Sequence, residues 1–596
     1  MHGTVSSKMF LFLFGMLIAS GLLLLKNIVK FSFHVCLSII DGLLLLWVVY
    51  VLLNGTIQQM SVSNRLLELF GLILFYIILR QVKPSHFGIL LMAMIIGSTV
   101  QAIWGNLQLW GYLSSMHILF PTTGSFLNPA PFAGYLASAF PAISGLLLYK
   151  IPPLNAIDEK INQSLYSTKF CASNRFIPLH FIITRCVAAI SIIVILSIII
   201  PAQSRASWIS ICCSSFFLFL NRYSIIQWIK NQSLLKRNTL ILLLCIIVGA
   251  GLFGLWGLKP YSANGRLFVW KITNNIIIES PFWGVGYNKF NSHYMTEQAR
   301  FFEKMPNSPE AMLADDVYYA FNDFLQHTAE NGLVGLVLIL FVFVAAFRVS
   351  YKPFDNLIWI AKSGIIGIVV FALFSYPSDV LPVKMNLTLY LACLSLLSEK
   401  KTLQIKMLKY IPVKFALFLC IVFGLFAGYK HLAFECAAWK NWNIAYRLYS
   451  INRYTDSLPY YRNAWPVLKK DGDYLTNYGK ALSMAGLHEQ ATDVLQQATL
   501  YYPNTVLFIS LGDSYKSLNN MIAAEQAYST AWYMNPSRFY PKYLLAKLYD
   551  ETGQIKKAIT TAHELLNKEV KVVSTAIDEM RREMEAILVK YQQLDE

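Results

Sequence analysis

The polar stretch of residues 259–332 carries the side chains best suited to chemistry. It holds eight of the sixteen Asp and Glu residues that precede residue 440, within a region that is otherwise strongly apolar. Arginine, histidine and carboxylates occur there together, which is the combination that anion binding and proton transfer require. We therefore expect this stretch to contain a site that works in water.

Two arginines are candidates for binding an anion. Arg205 lies in the sequence QSRASW, where one apolar run ends and the next begins, and Arg266 follows Gly265 inside the polar stretch. An arginine at membrane depth is costly unless it is paired or hydrated, so it is a functional candidate, and snorkelling to the interface is the alternative. Two guanidinium groups on one side suit a diphosphate, because each offers a planar fork of donors.

The end of the polar stretch supplies candidates for a general base. Asp323 lies four residues before His327, and Glu330 lies three residues after it, so on a helix the three share one face. A carboxylate in that position could orient an imidazole that takes a proton. Asp323 is the first candidate, His327 the second, and Asp316 with its neighbour Asp315 the third. The alternative is that these groups only solvate the top of a helix.

The cysteines and histidines do not predict a metal or cofactor site. The nine cysteines lie mostly inside apolar segments, and the sequence contains no CxxC motif. Cysteines of this kind are small buried apolar residues. We therefore expect no cofactor, no bound metal and no disulfide framework.

The composition is that of a membrane protein, with 56% hydrophobic and 14% charged residues. A membrane-spanning helix needs about 20 apolar residues. About twelve segments are candidates, near residues 9–25, 31–53, 66–79, 87–105, 128–149, 181–200, 207–221, 239–258, 332–347, 358–376, 386–398 and 412–430. The sequence therefore predicts an all-α fold, in which residues 1–430 form a polytopic bundle of transmembrane helices.

The formal charge of +17 indicates the orientation of this bundle. The excess of Lys and Arg lies before residue 441, in short links between apolar segments. Such links lie in the cytoplasm by the positive-inside rule. Alternation then places the N-terminus, residues 259–332 and everything after residue 430 on the outer side. A basic excess explained by topology gives no support to nucleic-acid binding.

Residues 431–596 have a different pattern, with amphipathic helices and an internal repeat. Small and aromatic residues recur at intervals of 33 and 34 residues, in the sets Gly479, Leu482, Gly486, Ala491, Leu495, Ala498 and Pro503; Gly512, Tyr515, Asn519, Ala524, Tyr528, Ala531 and Pro536; and Ala546, Tyr549, Gly553, Ala558, Ala562 and Leu565. A weaker copy includes Ala445 and Asn452. The pattern resembles tetratricopeptide repeats, with Gly or Asn at a left-handed turn. It predicts a soluble α-solenoid whose concave face binds a peptide or protein partner.

Four segments of the first domain resemble a known family. They are TGSFLNPAPFAGYL (123–136), QSRASW (203–208), NGRLFVWKITNNIIIESPFWGVGYNKF (264–290) and YAFNDFLQHTAENGLVGL (319–336). The sequence is similar to the superfamily of O-antigen ligases and O-antigen polymerases, which includes the protein O-oligosaccharyltransferases. The resemblance implies a protein of the bacterial inner membrane with about twelve helices and one large periplasmic loop.

The resemblance also implies a reaction, namely metal-independent transfer of a glycan from undecaprenyl diphosphate. In the family, arginines on the periplasmic side hold the diphosphate, which matches Arg205 and Arg266. The sequence departs from the ligases at one position, because Phe321 stands before Asn322 where ligases commonly have histidine. The base must therefore be Asp323, His327, Asp315, Asp316 or a group from elsewhere.

Several functions remain open at this point. The acceptor of the glycan, at the surface of the lipid membrane, is one of three: lipid A core, a protein, or the growing glycan of a polymerase. The repeats favour a protein acceptor or partner. A transporter or export component, and an assembly scaffold without activity, are the alternatives from other classes, and Phe321 is the best support for the scaffold.

Overall fold

A computed structural model describes residues 2–30, 32–58, 63–149, 179–257, 259–306, 308–398, 401–406, 411–571 and 574–595. The fold is nearly all-helical, as predicted. One exception within these ranges is a pair of six-residue antiparallel strands, β1 (Ser32–Leu37) and β2 (Lys401–Lys406). The predicted apolar segment 31–53 therefore begins in a strand and becomes helical only from Ile39.

The first part of the chain consists of long helices. Their bounds are α1 His2–Lys30, α2 Ile39–Ile57, α3 Asn64–Leu79, α4 Phe87–Leu109, α5 Pro129–Leu148, α6 Leu179–Ile199, α7 Arg205–Arg222, α8 Ile225–Lys230, α9 Leu234–Gly257, α10 Pro260–Glu279, α11 Phe290–Lys304, α12 Asp323–Arg348, α13 Asp355–Ala372, α14 Leu381–Leu397 and α15 Ile411–Ser450. Each of the twelve predicted apolar segments overlaps one of these helices.

Seven helical segments in the described ranges are long and apolar enough to cross a membrane. They are Ser7–Lys26, Ile39–Ile57, Pro84–Leu109, Pro129–Leu148, Asp323–Arg348, Lys352–Ala372 and Phe418–Ser450. Two shorter apolar helical segments are Ile183–Ile199 and Leu381–Leu397. These helices indicate a membrane protein, and the count of twelve crossings stays a prediction.

Side-chain contacts sort the helix ends into two groups. At one end of the bundle, Asp41 at the start of α2 pairs with Arg80 after α3 (2.8 Å) and accepts a hydrogen bond from Ser395 near the end of α14 (2.6 Å). At the other end, Lys8 near the start of α1 donates to Ser125 before α5 (2.9 Å). This grouping agrees with the alternation expected from the charges, while the side of the membrane on which each end lies stays a prediction.

Small residues let α5, α13 and α14 approach closely. A Cβ at Gly134 would lie 2.4 Å from the ring of Phe371, and one at Gly364 would lie 2.2 Å from the ring of Tyr390. The Tyr390 hydroxyl donates to the carbonyl of Ser138 (2.9 Å). Small residues and interhelical hydrogen bonds are what hold helices together in lipid, where apolar burial between them provides little driving force.

The C-terminal array is formed by the helices that follow α15, each packed on its neighbours in sequence. Their bounds are α16 Tyr454–Leu468, α17 Gly472–Met484, α18 His488–Thr499, α19 Thr505–Ser517, α20 Met521–Met534, α21 Tyr540–Glu551, α22 Ile555–Leu566 and α23 Thr575–Asp595. The helix α15 is 40 residues long and joins the bundle to the array without a break.

The turns of the array have the conformation predicted from the repeat. The backbone angle φ is +62° at Asn452, +79° at Gly486, +57° at Asn519 and +69° at Gly553. Only glycine, and less readily asparagine, adopts this left-handed conformation without cost. The spacing of these turns fits a stack of helix pairs, and membership of the tetratricopeptide family stays a prediction.

Candidate functional site

The site is built around a break in helix α12. Gly332 lies inside α12 with φ +64° and ψ −176°, which is not a helical conformation. In an unbroken helix, the amides of Leu333 and Val334 would donate to the carbonyls of Ala329 and Glu330. At this break they do not, and the chain segment 281–286 supplies the missing partners.

Four backbone hydrogen bonds splice the 281–286 segment into the helix. They join Val285 N to Ala329 O (2.9 Å), Gly286 N to Glu330 O (2.8 Å), Leu333 N to Pro281 O (2.8 Å) and Val334 N to Phe282 O (3.4 Å). Helix α2 holds both sides of the break, because Asn54 donates to Trp283 O in the segment (2.7 Å) and Tyr50 donates to Asn331 O in α12 (2.6 Å). The splice pairs the amides of Leu333 and Val334 and the carbonyls of Ala329 and Glu330, which the break would otherwise leave without partners in an apolar environment.

The splice requires glycine. A Cβ at Gly332 would lie 2.0 Å from the carbonyl oxygen of Phe282, and one at Gly284 would lie 2.5 Å from the carbonyl carbon of Glu330. Both obstacles are backbone atoms, so they cannot rotate away. Both glycines also have positive φ, which adds conformational strain for any other residue.

We predict that Gly332→Ala destabilises the protein by roughly 3 to 5 kcal/mol, because it combines a backbone clash with a strained φ. Gly265→Ala is the matched control, since a Cβ there would meet nothing within 4 Å. Thermal unfolding of the detergent-solubilised protein measures both. Equal melting temperatures for the two variants would contradict the splice.

The break brings Glu330 to an ion-pair cluster. Arg65, at the start of α3, binds Glu330 through Nη1 (2.8 Å) and approaches Asp379 through Nε (3.2 Å). Its guanidinium also lies over the ring of Tyr287, 5.0 Å from the ring centre. The Glu330 side chain is only 1% exposed. A charge buried to that degree has to be paired, and Arg65 supplies the pairing.

Asp323 occupies the start of α12, beside this cluster. Its carboxylate accepts a hydrogen bond from the amide of Ser378 (2.7 Å) and another from the Ser378 hydroxyl (2.8 Å). Asn322 precedes it as the N-cap and accepts from the amides of Phe324 (3.0 Å) and Leu325 (3.2 Å). A capped helix start with a carboxylate in its first turn is electrostatically favourable.

His327 has partners different from those of Asp323. The indole N–H of Trp47 donates to Nε2 of His327 (3.3 Å), and the side chain of Asn331 contacts Nδ1 (3.2 Å). Because an indole can only donate, Nε2 accepts and carries no proton. Asp323 and His327 lie on the same helix, but Asp323 is oriented by Ser378 from the 3-10 turn Pro377–Asp379, whereas His327 is oriented by Trp47 from α2.

A cavity of about 770 Å³ opens between α1, α2, α3, α12, α13 and α14. Its lining is mostly aliphatic, with polar groups at both ends. At the end of the cavity near the start of α12, which we call the α12 end, the polar residues are Arg65, Asp323, His327, Ser378 and Lys384. At the opposite end they are Asp41, Tyr76 and Arg80. Lys384 is paired with Glu68. The cations at the α12 end are therefore already neutralised by carboxylates.

A second polar centre contains the two predicted arginines. Arg205 is the first residue of α7, and Arg266 lies in α10. Arg266 donates to the carbonyl of Phe374 (2.9 Å), and its guanidinium lies 5.4 Å from the ring centre of Phe321. Burial lowers the pKa of Arg266, and the charge of Arg205 lowers it further. Two cations within electrostatic reach of each other are suited to an anion of more than one charge.

Aromatic side chains connect the two polar centres. Tyr319 and Tyr376 stack with ring centres 4.1 Å apart, and Phe321 meets Tyr376 edge-on at 5.7 Å. Burial, followed by the charge of Asp379, raises the pKa of Tyr376 to about 12, while the charge of Arg266 opposes this rise. Tyr376 is therefore within electrostatic reach of both centres.

Phe321 is strained. Its φ is +53°, a left-handed conformation that is unfavourable for a bulky residue. Strain of this kind persists only where the surrounding structure enforces it, and it concentrates at functional sites. Phe321 therefore differs from the ligases that the sequence resembles in its side chain, and it also has an unfavourable backbone conformation.

The third predicted base has a different environment. Asp316 pairs with Arg538 of the C-terminal array (2.7 Å) and accepts a hydrogen bond from the hydroxyl of Thr505 (2.7 Å). Asp315 lies 3.6 Å from the same arginine. Neither residue lines the cavity that contains Asp323 and His327.

Sequence reasoning did not single out Arg65, Ser378 or Asp379. A signal was present, because Arg65 and Asp379 lie in short links that contain few charged residues and that the charge pattern places on the outer side. Their importance depends on the packing of α3 and α14 against α12, which a pattern along the chain does not reveal.

Comparison with known families gives a match over the region that contains part of the site. Residues 190–340 match the sequence model of a family described as O-Antigen ligase. The matched region includes Arg205, Arg266, the 281–286 segment and the broken part of α12. No curated protein sequence matches the chain. The match supports glycan transfer of the ligase and polymerase type, which in general uses a lipid-linked glycan donor and an acceptor.

Proposed function

We propose that this protein transfers a glycan from an undecaprenyl-diphosphate donor to an acceptor at the periplasmic face of the bacterial inner membrane, without a metal. The observation that carries the proposal is the juxtaposition of Arg205 and Arg266 inside the matched O-antigen ligase region. A diphosphate with two arginine partners needs no divalent ion to neutralise it.

The distribution of charge favours the arginine pair for the donor diphosphate. Arg65 and Lys384 are cations too, but each faces a carboxylate, and Asp323 adds a further negative group there. A diphosphate would be repelled by that cluster. At Arg266 the hydrogen-bond acceptor is a neutral carbonyl, so the guanidinium keeps its charge for the substrate.

The reaction then needs a base. The candidate bases belong to the polar centre that Tyr319, Phe321 and Tyr376 connect to the arginine pair. The acceptor oxygen attacks the anomeric carbon, the bond from that carbon to the diphosphate oxygen breaks, and the diphosphate leaves with the electron pair. Arg205 and Arg266 stabilise the charge that develops on the leaving group. The acceptor proton passes to a side chain of the α12 end.

Asp323 is our first choice for this base. Its carboxylate takes two hydrogen bonds from Ser378, and a carboxylate has about four lone-pair positions, so it retains capacity for the acceptor hydroxyl. Asp379, next to Ser378, joins the candidates. His327 is second, since Trp47 would have to release its Nε2. Asp316 is last, since it would have to leave Arg538.

The acceptor is a lipid A core, a protein or a growing glycan. The C-terminal array supports a protein acceptor or partner, because helical solenoids present extended concave faces to peptides. The strained Phe321 in place of histidine keeps a non-catalytic scaffold as the alternative.

Deletion of the gene tests the proposal. Cells without the protein should lose glycosylated proteins or long-chain lipopolysaccharide and should accumulate lipid-linked glycan, and a plasmid copy should reverse both changes. Normal glycoconjugates with no accumulated donor would contradict glycan transfer. The class of product that disappears identifies the acceptor.

A further inference from the structure

The C-terminal array reaches the candidate site through one extended segment, residues 314–320. This segment follows the short 3-10 turn Pro309–Leu313 and leads directly into Phe321 and the N-cap Asn322. It belongs to the polar stretch of the first domain. Its partners, however, come largely from the array.

Four successive positions along the array contribute polar contacts to this segment. The contacts are Lys571 Nζ to Ala314 O (3.2 Å), Ser537 Oγ to Ala314 O (3.5 Å), Asn535 Nδ2 to Asp315 Oδ1 (3.5 Å), Arg538 Nη2 to Asp316 Oδ2 (2.7 Å), Thr505 Oγ1 to Asp316 Oδ1 (2.7 Å) and Tyr318 OH to Asp473 Oδ1 (3.2 Å). The ring of Tyr318 also packs on Tyr502, with centres 4.8 Å apart.

The contact residues follow the period of the repeat. Asp473, Thr505, Arg538 and Lys571 are separated by 32, 33 and 33 residues, which matches the repeat read from the sequence. They lie at the starts of successive helix pairs, along one edge of the array. The segment therefore binds this edge as an extended peptide binds a series of equivalent positions.

A second contact fixes the array to the same domain. Gln298 of α11 donates to Met534 O in the array and to Asp315 O in the segment (3.1 Å). Met534 is buried in one apolar cluster with Tyr294 and Phe302 of α11. The segment is thus enclosed between α11 and the array, so its conformation depends on both.

We propose that the array is a positioning element of the transfer site, and that its edge holds the 314–320 segment so that Phe321 keeps its left-handed backbone and Asn322 caps α12. Only three residues separate Tyr318 from Asn322. Arg538, Thr505 and Asp473 touch no substrate in this account and act through the segment. The proposal rests on the proposed function, and it assigns the array a role in turnover besides partner binding.

Charge reversal in the full-length protein tests this role. Arg538→Asp and Asp316→Arg should each lower kcat about tenfold, the equivalent of roughly 1.4 kcal/mol of lost positioning, with the KM for donor unchanged. Combining the two should restore most of the rate, because the ion pair is rebuilt in reverse. Arg453→Asp is the matched control, since Arg453 pairs with Asp456 on the exposed surface of the array.

A readout independent of activity accompanies the rates. Limited proteolysis within residues 314–320 should increase in both single variants and return to the wild-type level in the double variant. Thr505→Val is a milder variant, because it keeps the size of the side chain and removes only the hydrogen bond to Asp316. It replaces the charge-reversal variants in both measurements if those variants do not fold. It should give a smaller loss of kcat and a smaller gain in cleavage.

The outcomes separate this proposal from the proposed function. If cleavage increases while kcat stays at the wild-type level, or if neither changes, the positioning role is overturned and glycan transfer stands. If Asp316→Arg is inactive and the double variant remains inactive with its segment protected, Asp316 acts in its own right and positioning is again overturned. If the wild-type protein transfers no glycan, the proposed function itself fails.

Discussion

Arg266→Lys should reduce glycan transfer about a hundredfold or more while the protein remains inserted and abundant. Lysine keeps the positive charge but loses the planar fork of donors that binds two phosphate oxygens at once. Loss of a preorganised donor to a developing negative charge costs roughly 10²–10³-fold in rate. Arg205→Lys should behave in the same way, since we propose that both guanidiniums bind the same diphosphate. Transfer per molecule of purified protein is the measurement.

Arg300→Lys is the control for this prediction. Arg300 belongs to the same polar stretch, is 56% exposed and pairs with Glu279 (3.3 Å) and Glu297, so its replacement should leave the rate unchanged. Wild-type transfer in both Arg205→Lys and Arg266→Lys would remove the diphosphate site. Wild-type transfer even in the two alanine variants would favour a scaffold.

Asp323→Asn should lower turnover roughly 10²- to 10⁴-fold, which is the usual contribution of a positioned general base. The amide keeps the size of the side chain and loses its ability to take a proton. Donor binding should persist, because the arginine pair is untouched. Rates at saturating donor, with donor affinity measured separately, distinguish the two effects.

The remaining candidates are tested in the same assay. Full turnover in Asp323→Asn, in His327→Gln and in the double variant would show that the base does not lie on α12. Asp379→Asn is then the next replacement, followed by Asp315→Asn and Asp316→Asn. Glu330→Gln is a control, because it removes the ion pair with Arg65 and leaves every candidate base in place. It should lower the melting temperature and leave the transfer rate per folded molecule largely unchanged.

Features set by local sequence could be predicted well. The apolar segments form helices because a helix satisfies its own backbone hydrogen bonds, which an apolar environment requires. The turns at Gly486 and Asn519 were predictable because few residues adopt positive φ. Arg205 and Arg266 are 61 positions apart in sequence and share no helix, so their assignment to one site came from the charge pattern and the family resemblance, and the site stays a prediction.

Features set by packing between distant segments could not be predicted. The apolar pattern placed the start of a span at residue 332, whereas the structure has a helix from Asp323 that is broken there. The break is stable only because residues 281–286, about fifty positions earlier, replace the lost hydrogen bonds. Spacing likewise put Asp323 and His327 on one face, but Ser378 and Trp47, which orient them, come from other parts of the chain.

The most direct test of the central claim is transfer by the purified full-length protein. The protein is reconstituted in liposomes with an undecaprenyl-diphosphate-linked glycan and, in separate reactions, with lipid A core or with an acceptor protein from the same cell, in the presence of EDTA. We predict that one acceptor gains glycan as undecaprenyl diphosphate is released, and that Arg266→Lys lowers the rate of both about a hundredfold or more. Release of no undecaprenyl diphosphate with any acceptor, with EDTA or without it, would contradict the account.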